Sequence, residues 1–171
     1  FNPTLNLDCL RRYYRDSLIA EFTKTRKMLI IQISDLHVGS QFLQKKFDHL
    51  VDEVNQLNPD VIVVTGDLTN EGLMHEYEEC KTLLTKFNTK KIITISGNHD
   101  YRNTGYLLFK KFFPFEAINE LNEDVVLVTL GTARPDRNEG EVGYRPNLWL
   151  ERTKKKYKNK VKIMEMHHHL I

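Results

Sequence analysis

The sequence predicts an α/β fold in which helices alternate with parallel strands. Three observations predict it. Short runs at residues 28–33, 61–64, 92–95, 125–130 and 161–166 are largely apolar and β-branched, as expected of strands covered on both faces. Between several of them, apolar residues recur at three- and four-residue steps, the period of a helix with one buried face. The first three runs and the last end in clusters of polar residues, and the carboxyl ends of strands are where open α/β sheets place their chemistry.

A chain of 171 residues has the length of one domain and can bury a real core. Its formal charge of +2 gives no general affinity for nucleic acid or an anionic membrane, so partners must follow from sites. Cys9 and Cys80 lie far apart and fit no metal or redox spacing, which points to two reduced thiols in a cytosolic protein. No apolar run approaches the length of a membrane span, and the amino-terminal stretch lacks the basic, apolar, small-residue order of a secretory signal. The expected setting is cytoplasmic, with no membrane partner.

Residues 1–27 read as a separate unit. Leu7, Leu10, Tyr14, Leu18 and Phe22 mark an amphipathic helix, whose stripe covers either its own domain or, as a homodimer contact, a second copy. Residues 23–27 form a polar hinge. Strand 28–33 then leads into Ser34-Asp35-Leu36-His37-Val38-Gly39. Residues two apart on an extended segment project to the same side, so Asp35 and His37 can present a carboxylate and an imidazole to one ion. That pairing suits a divalent transition metal better than calcium. Leu43, Phe47, Leu50, Val51, Val54 and Leu57 mark a helix ending before Pro59.

Strand 61–64 closes on Thr65-Gly66-Asp67-Leu68-Thr69-Asn70, which places at a strand end a carboxylate able to bridge two ions with its two oxygens. Leu73, Tyr77, Cys80, Leu84 and Phe87 stripe the next helix, and His75 and Glu76 near its start are expected to be solvated. Strand 92–95 ends in Ser96-Gly97-Asn98-His99-Asp100. Gly97 permits a sharp turn. The amide, imidazole and carboxylate that follow supply a hard ligand, a proton carrier at neutral pH, and a group able to fix the imidazole's tautomer.

Residues 104–113 read as an aromatic-rich helix stopped by Pro114. Residues 131–143 form a long polar loop carrying Arg134 and Arg137, with Arg145 nearby; such arginines can clamp phosphate oxygens, and Arg134 is the candidate. Residues 148–158 read as a helix anchored by Trp149, with a lysine-rich end that suits the helix dipole. The strand 161–166 ends in His167-His168-His169. Neighbours on an extended chain point in opposite directions, so one or two can face a common ion, with His167 the first choice and His168 the alternate.

Taken in order, Asp35-Leu36-His37, Gly66-Asp67-Leu68, Gly97-Asn98-His99-Asp100 and His167-His168-His169 resemble the motifs of the calcineurin-like metallophosphoesterase family. The chain is most similar to its small branch that includes class III cyclic nucleotide phosphodiesterases. The likeness covers residues 28–171, and Ala133-Arg134-Pro135, Gly140, Gly143 and Leu148-Trp149-Leu150-Glu151 also resemble that branch. The resemblance implies two packed mixed sheets flanked by helices, an α/β/β/α sandwich with metals at the strand ends. It implies two divalent ions, of manganese, iron, zinc or nickel. Asp35 and His37 would bind the first, Asp67 would bridge both, and Asn98 and His167 would bind the second. A hydroxide between the ions would attack a small phosphoester such as a cyclic nucleotide, with His99 as the acid at the leaving oxygen and Asp100 holding its ring. The family's Gly-His-x-His motif does not occur before Ile171, so the implied domain is incomplete at its carboxyl end.

Two readings of different kinds follow: an active phosphodiesterase or phosphatase, and a catalytically inactive scaffold of the same fold that binds metal or a partner. Retention of His99 and Asp100, which ligation does not need, favours the enzyme. A nuclease of the same superfamily fits less well, because the overall charge shows no basic groove for nucleic acid.

Overall fold

The computed structural model describes residues 28–169; the helix and hinge expected over residues 1–27 lie outside them. In order, the described residues form β1 (Ile30–Ile33), α1 (Gln44–Leu57), β2 (Val61–Thr65), α2 (Met74–Leu84), β3 (Ile92–Ile95), a 3-10 turn (His99–Tyr101), α3 (Gly105–Phe112), β4 (Ile118–Glu120), β5 (Val125–Thr129), α4 (Tyr144–Lys156) and β6 (Val161–Glu165). One sheet has the order β1-β2-β3, all parallel. The second, β4-β5-β6, is mixed: β4 runs antiparallel to β5, and β6 parallel to it.

Alternation of side chains along the strands builds four layers. All five residues of β2 are buried, and a strand sends successive side chains to opposite faces. Ile62 and Val64 join Phe47, Val51 and Val54 of α1 and Tyr77 and Leu84 of α2. Val61 and Val63 face the other way, where they meet Ile93 of β3 and Leu127 of β5. Strand β5 repeats the pattern: Leu127 fills the layer between the sheets, while Val126 and Val128 pack against Trp149, Leu150 and Tyr157. Helices α1 to α3 therefore cover one sheet and α4 the other, the α/β/β/α order that the resemblance implies.

Three local features depart from the expectations. Strand β4 was not anticipated; its three residues, Ile118-Asn119-Glu120, are too few and too polar to show a period. Helix α4 begins at Tyr144, ahead of the expected 148, because Pro146 sits in the first turn, where a missing N–H breaks no helical bond. Glu76 is buried, not solvated. Its Oε2 accepts the N–H groups of Glu71 at 2.9 Å and Leu73 at 3.1 Å, the reach of a third helical residue back to its own amino terminus. Among the described residues no helix is long and apolar enough to cross a membrane, and Cys80 is a buried free thiol.

Candidate metal centre

Parallel strands bring the turns after β1, β2 and β3 to one edge, and the pairing continues past the strands. Asp35 N–H donates to Gly66 O at 3.1 Å, His37 N–H to Asp67 O at 3.0 Å and Val38 N–H to Leu68 O at 2.9 Å. Within this ladder Asp35, His37 and Asp67 have φ values of 58°, 46° and 51°. For a residue with a β-carbon, that left-handed region costs about 1–2 kcal/mol, and it persists where the surroundings impose it. Asp35 and His37 lie together at this strand end, with Asp35 Oδ1 3.7 Å from His37 Nε2, but they do so through a left-handed turn and not the expected extended segment. Glycines let the turns close on one another. A β-carbon at Gly66 would lie 2.6 Å from His167 Nδ1 and 2.8 Å from Gly97 N, and one at Gly97 would overlap the Asp67 carboxylate.

Asp67, 4% exposed, sits at the centre. Its Oδ1 accepts the His99 N–H at 2.9 Å and lies 3.4 Å from His167 Nε2. Its Oδ2 lies 3.7 Å from His37 Nε2 and 4.0 Å from His99 Nε2, and Asp35 Oδ1 is 3.7 Å from the same His37 nitrogen. Two overlapping groups, His37/Asp67/His99 and Asp35/Asp67/His167, therefore share one carboxylate, with the donor atoms of each within 4.8 Å of one another. Most of these separations exceed a hydrogen bond. They suit two ligand bonds of about 2.0–2.2 Å meeting at an ion.

The ring nitrogens give an independent test of whether a cation fits. His167 Nδ1 is 2.8 Å from Thr65 O; a carbonyl only accepts, so Nδ1 carries the proton and the neutral ring leaves a lone pair on Nε2. That lone pair faces Asn98 Oδ1 at 3.1 Å and Asp67 Oδ1 at 3.4 Å. Asp67 Oδ1 accepts the His99 N–H at 2.9 Å, but these three acceptors share no donor among themselves, which leaves a place for a positive ion, and a ligating histidine commonly donates its other N–H to a carbonyl. His99 is fixed in the same tautomer, with Nδ1 2.8 Å from Asn70 O, which turns its Nε2 to the site. His37 packs edge-on against His99, ring centroids 4.4 Å apart. Carboxylates, imidazoles and an amide oxygen form a donor set for a divalent transition metal.

Residues 28–171 match the calcineurin-like phosphoesterase family. The chain belongs to that family. Over 156 residues it is 27% identical to a probable glycerophosphodiester phosphodiesterase of Arcobacter nitrofigilis, covering 82% of this chain and 57% of the relative. A cAMP/cGMP dual specificity phosphodiesterase of Mycobacterium tuberculosis is 28% identical over 142 residues, covering 71% and 43%. A probable cyclic nucleotide phosphodiesterase of Vesicomyosocius okutanii is 31% identical over 88 residues, covering 48% and 37%. The matches thus span between about a third and just over half of these relatives.

In this phosphoesterase-family chain Asp100 does not hold the His99 ring. It is fully buried, and its Oδ1 accepts Thr69 N–H and Oγ–H, each at 2.8 Å, while its Oδ2 accepts Leu68 N–H at 3.2 Å and Gly97 N–H at 2.9 Å. Those four donors lie inward, so the carboxylate clamps the turn after β2 to the turn after β3 while the neighbouring ring points out. Burial pushes its carboxyl up to about 6, against the pull of the hydrogen bonds. The ring is held instead by the Asn70 carbonyl, which also accepts from Arg102 at 3.3 Å. Neither Asn70 nor Arg102 was singled out from the sequence.

His168, the alternate ligand, is engaged elsewhere: Nδ1 is 2.7 Å from Thr132 Oγ and Nε2 3.1 Å from Asn138 O. Arg134 stays within its own loop, donating to Ala133 O at 2.9 Å with its Nε 3.4 Å from Glu141 Oε2. The arginine beside the donor cluster is Arg102, which with Phe42 and Leu43 lines a cavity of about 530 Å³ that reaches Asp35, His37 and His99.

Proposed function

We propose that this chain is the core of a metal-dependent hydrolase that cleaves a small phosphodiester. One observation carries the reading: Asp67 is shared by two donor groups whose N···O separations fit ligation. Asp35, His37 and Asp67 would hold one divalent ion, and Asp67, Asn98 and His167 a second; this regroups the two clusters, pairing Asp35 with His37, whose Nε2 lies 3.7 Å from its Oδ1, and leaving His99 Nε2, 4.0 Å from Asp67 Oδ2, to face the substrate. Such ions supply the hydroxide that hydrolysis needs at neutral pH and offset charge on the phosphate oxygens. Manganese, iron, zinc and nickel all accept this donor set.

The chain's own residues carry the rest. With Nδ1 donating to Asn70 O, His99 can hold a proton on Nε2 and release it to the leaving oxygen, the assistance that makes an alkoxide a competent leaving group. Asp100 acts on this step by fixing the turn that carries His99. The cavity lined by Arg102 and Phe42 has room for the alcohol half of the ester. Arg134 can reach a phosphate only by giving up Glu141. The printed names of the relatives, a glycerophosphodiester phosphodiesterase and cyclic nucleotide phosphodiesterases, support a phosphodiester as the substrate. A cytoplasmic setting belongs to the same proposal and accords with the free thiol of Cys80.

The test is turnover of a chromogenic phosphodiester with added manganese. The parent should turn over. His99→Ala should keep its manganese and lose about 10²–10⁴-fold in rate on an ester with a poor leaving group. A parent that binds manganese but hydrolyses no phosphodiester would leave only the scaffold reading, and loss of metal together with activity in His99→Ala would make that residue a ligand.

A further inference from the structure

A second cavity, of about 480 Å³, borders the same catalytic turn. Ser96 and Tyr101, which bracket residues 97–100, both line it, whereas none of the proposed metal ligands does. Its walls come from opposite halves of the fold: Phe109 and Lys110 of α3, and Arg145 and Trp149 of α4. The volume lies in the range of sites for small organic ligands.

The lining specifies what such a ligand is. Tyr101, Phe109, Phe115 and Trp149 provide aromatic faces and edges, which favour a flat ring system in stacked or edge-on contact. Lys110 and Arg145 add two positive charges, and no aspartate or glutamate lines the cavity. Among the described residues, neither cation forms an ion pair or a side-chain hydrogen bond. The first turn of α4 contributes the same sign: Arg145 and Pro146 line the cavity, and Gly143 at the N-cap supplies no side-chain acceptor, so the positive end of the helix is uncompensated there. The metal-side cavity differs in kind, since Asp35 and Glu71 line it.

We propose that this cavity is a second binding site for a small aromatic anion. The ring would sit among Tyr101, Phe115 and Trp149, and its carboxylate, sulfonate or phosphate group would meet Lys110 and Arg145. Binding requires no metal and does not depend on the hydrolase reading. Because Ser96 and Tyr101 flank the turn that carries His99, occupancy there braces that turn from outside the donor cluster.

Trp149 is the only tryptophan in the chain, so its emission reports occupancy directly. The experiment is a calorimetric titration of the full chain with 4-nitrobenzenesulfonate in the presence of EDTA, with Trp149 emission followed in parallel. The expected result is saturable binding with quenching of Trp149. Binding should weaken about tenfold or more in the Lys110→Ala/Arg145→Ala double variant, which loses both charge-assisted contacts to the anionic group, and should weaken similarly for neutral 4-nitrobenzyl alcohol. Both cations are exposed, so the double variant should fold. Absence of saturable binding to the parent overturns the proposal, as does binding that needs manganese or survives undiminished in the double variant.

Discussion

Replacement of Gly66 by alanine probes whether the close approach of three turns sets the metal centre. Gly66 has φ of +97°, and placing a β-carbon in the left-handed region costs about 1–2 kcal/mol. The new methyl would lie 2.6 Å from His167 Nδ1 and 2.8 Å from Gly97 N, inside van der Waals contact, and relief of such overpacking costs about 1–3 kcal/mol. The sum predicts a destabilisation of about 2–5 kcal/mol, measured by urea denaturation in EDTA. The functional effect is separate. His167 Nδ1 makes the 2.8 Å contact to Thr65 O that aims Nε2 at Asp67, and disturbing a supporting bond of that kind lowers metal affinity about 10–100-fold. Manganese titration of the folded variant reads this directly. If the alanine variant stays within about 0.5 kcal/mol of the parent and binds manganese as tightly, the packing argument fails.

Other perturbations follow from the same geometry. Glu76→Ala removes the acceptor of the partly buried N–H groups of Glu71 and Leu73, at about 0.5–1.5 kcal/mol each. It should also lower turnover without changing metal stoichiometry, because Asn70, which holds His99, adjoins that loop; metal loss in the variant would contradict this. Burial raises the Glu165 carboxyl from its ordinary 4.5 to about 7, with one oxygen, Oε1, lacking a partner among the described residues. Between those two values the folded chain keeps a proton that the unfolded chain releases, so the parent loses stability as pH rises through that window. The loss totals about 3 kcal/mol. Glu165→Gln removes it, so the variant should gain on the parent by about that amount between pH 4.5 and pH 8 in urea denaturation. A difference that does not change with pH would refute the assignment.

Much of this site was legible because its signals are local. Asp35, Asp67 and Asn98 each follow a short β-branched run, and a parallel sheet aligns such ends without further information. His167 is the first choice because it stands at the strand end, and alternation alone leaves His168 as the alternate. What escaped depends on partners distant in sequence that leave no pattern of their own. The left-handed conformation at Asp35 and His37 comes from pairing with residues 66 and 67. Asp100 finds its donors mainly in the backbone N–H groups of residues 68, 69 and 97, which any residue type could supply, so nothing marked it as a clamp. Glu76 occupies a capping position, but Leu73 before it lacks the hydroxyl that announces a capping box. His168 is diverted by Thr132 and Asn138, in a loop that carried no sign of its path.

The most direct measurement is the manganese content of the folded protein and of two aspartate variants, by elemental analysis after equilibrium dialysis. Asp67 belongs to both donor groups and Asp35 to one. Two ions per chain in the parent, one after Asp35→Asn and none after Asp67→Asn is the expected result. Equal losses in the two variants, or two ions retained without the Asp67 carboxylate, would show that it does not join a pair of sites.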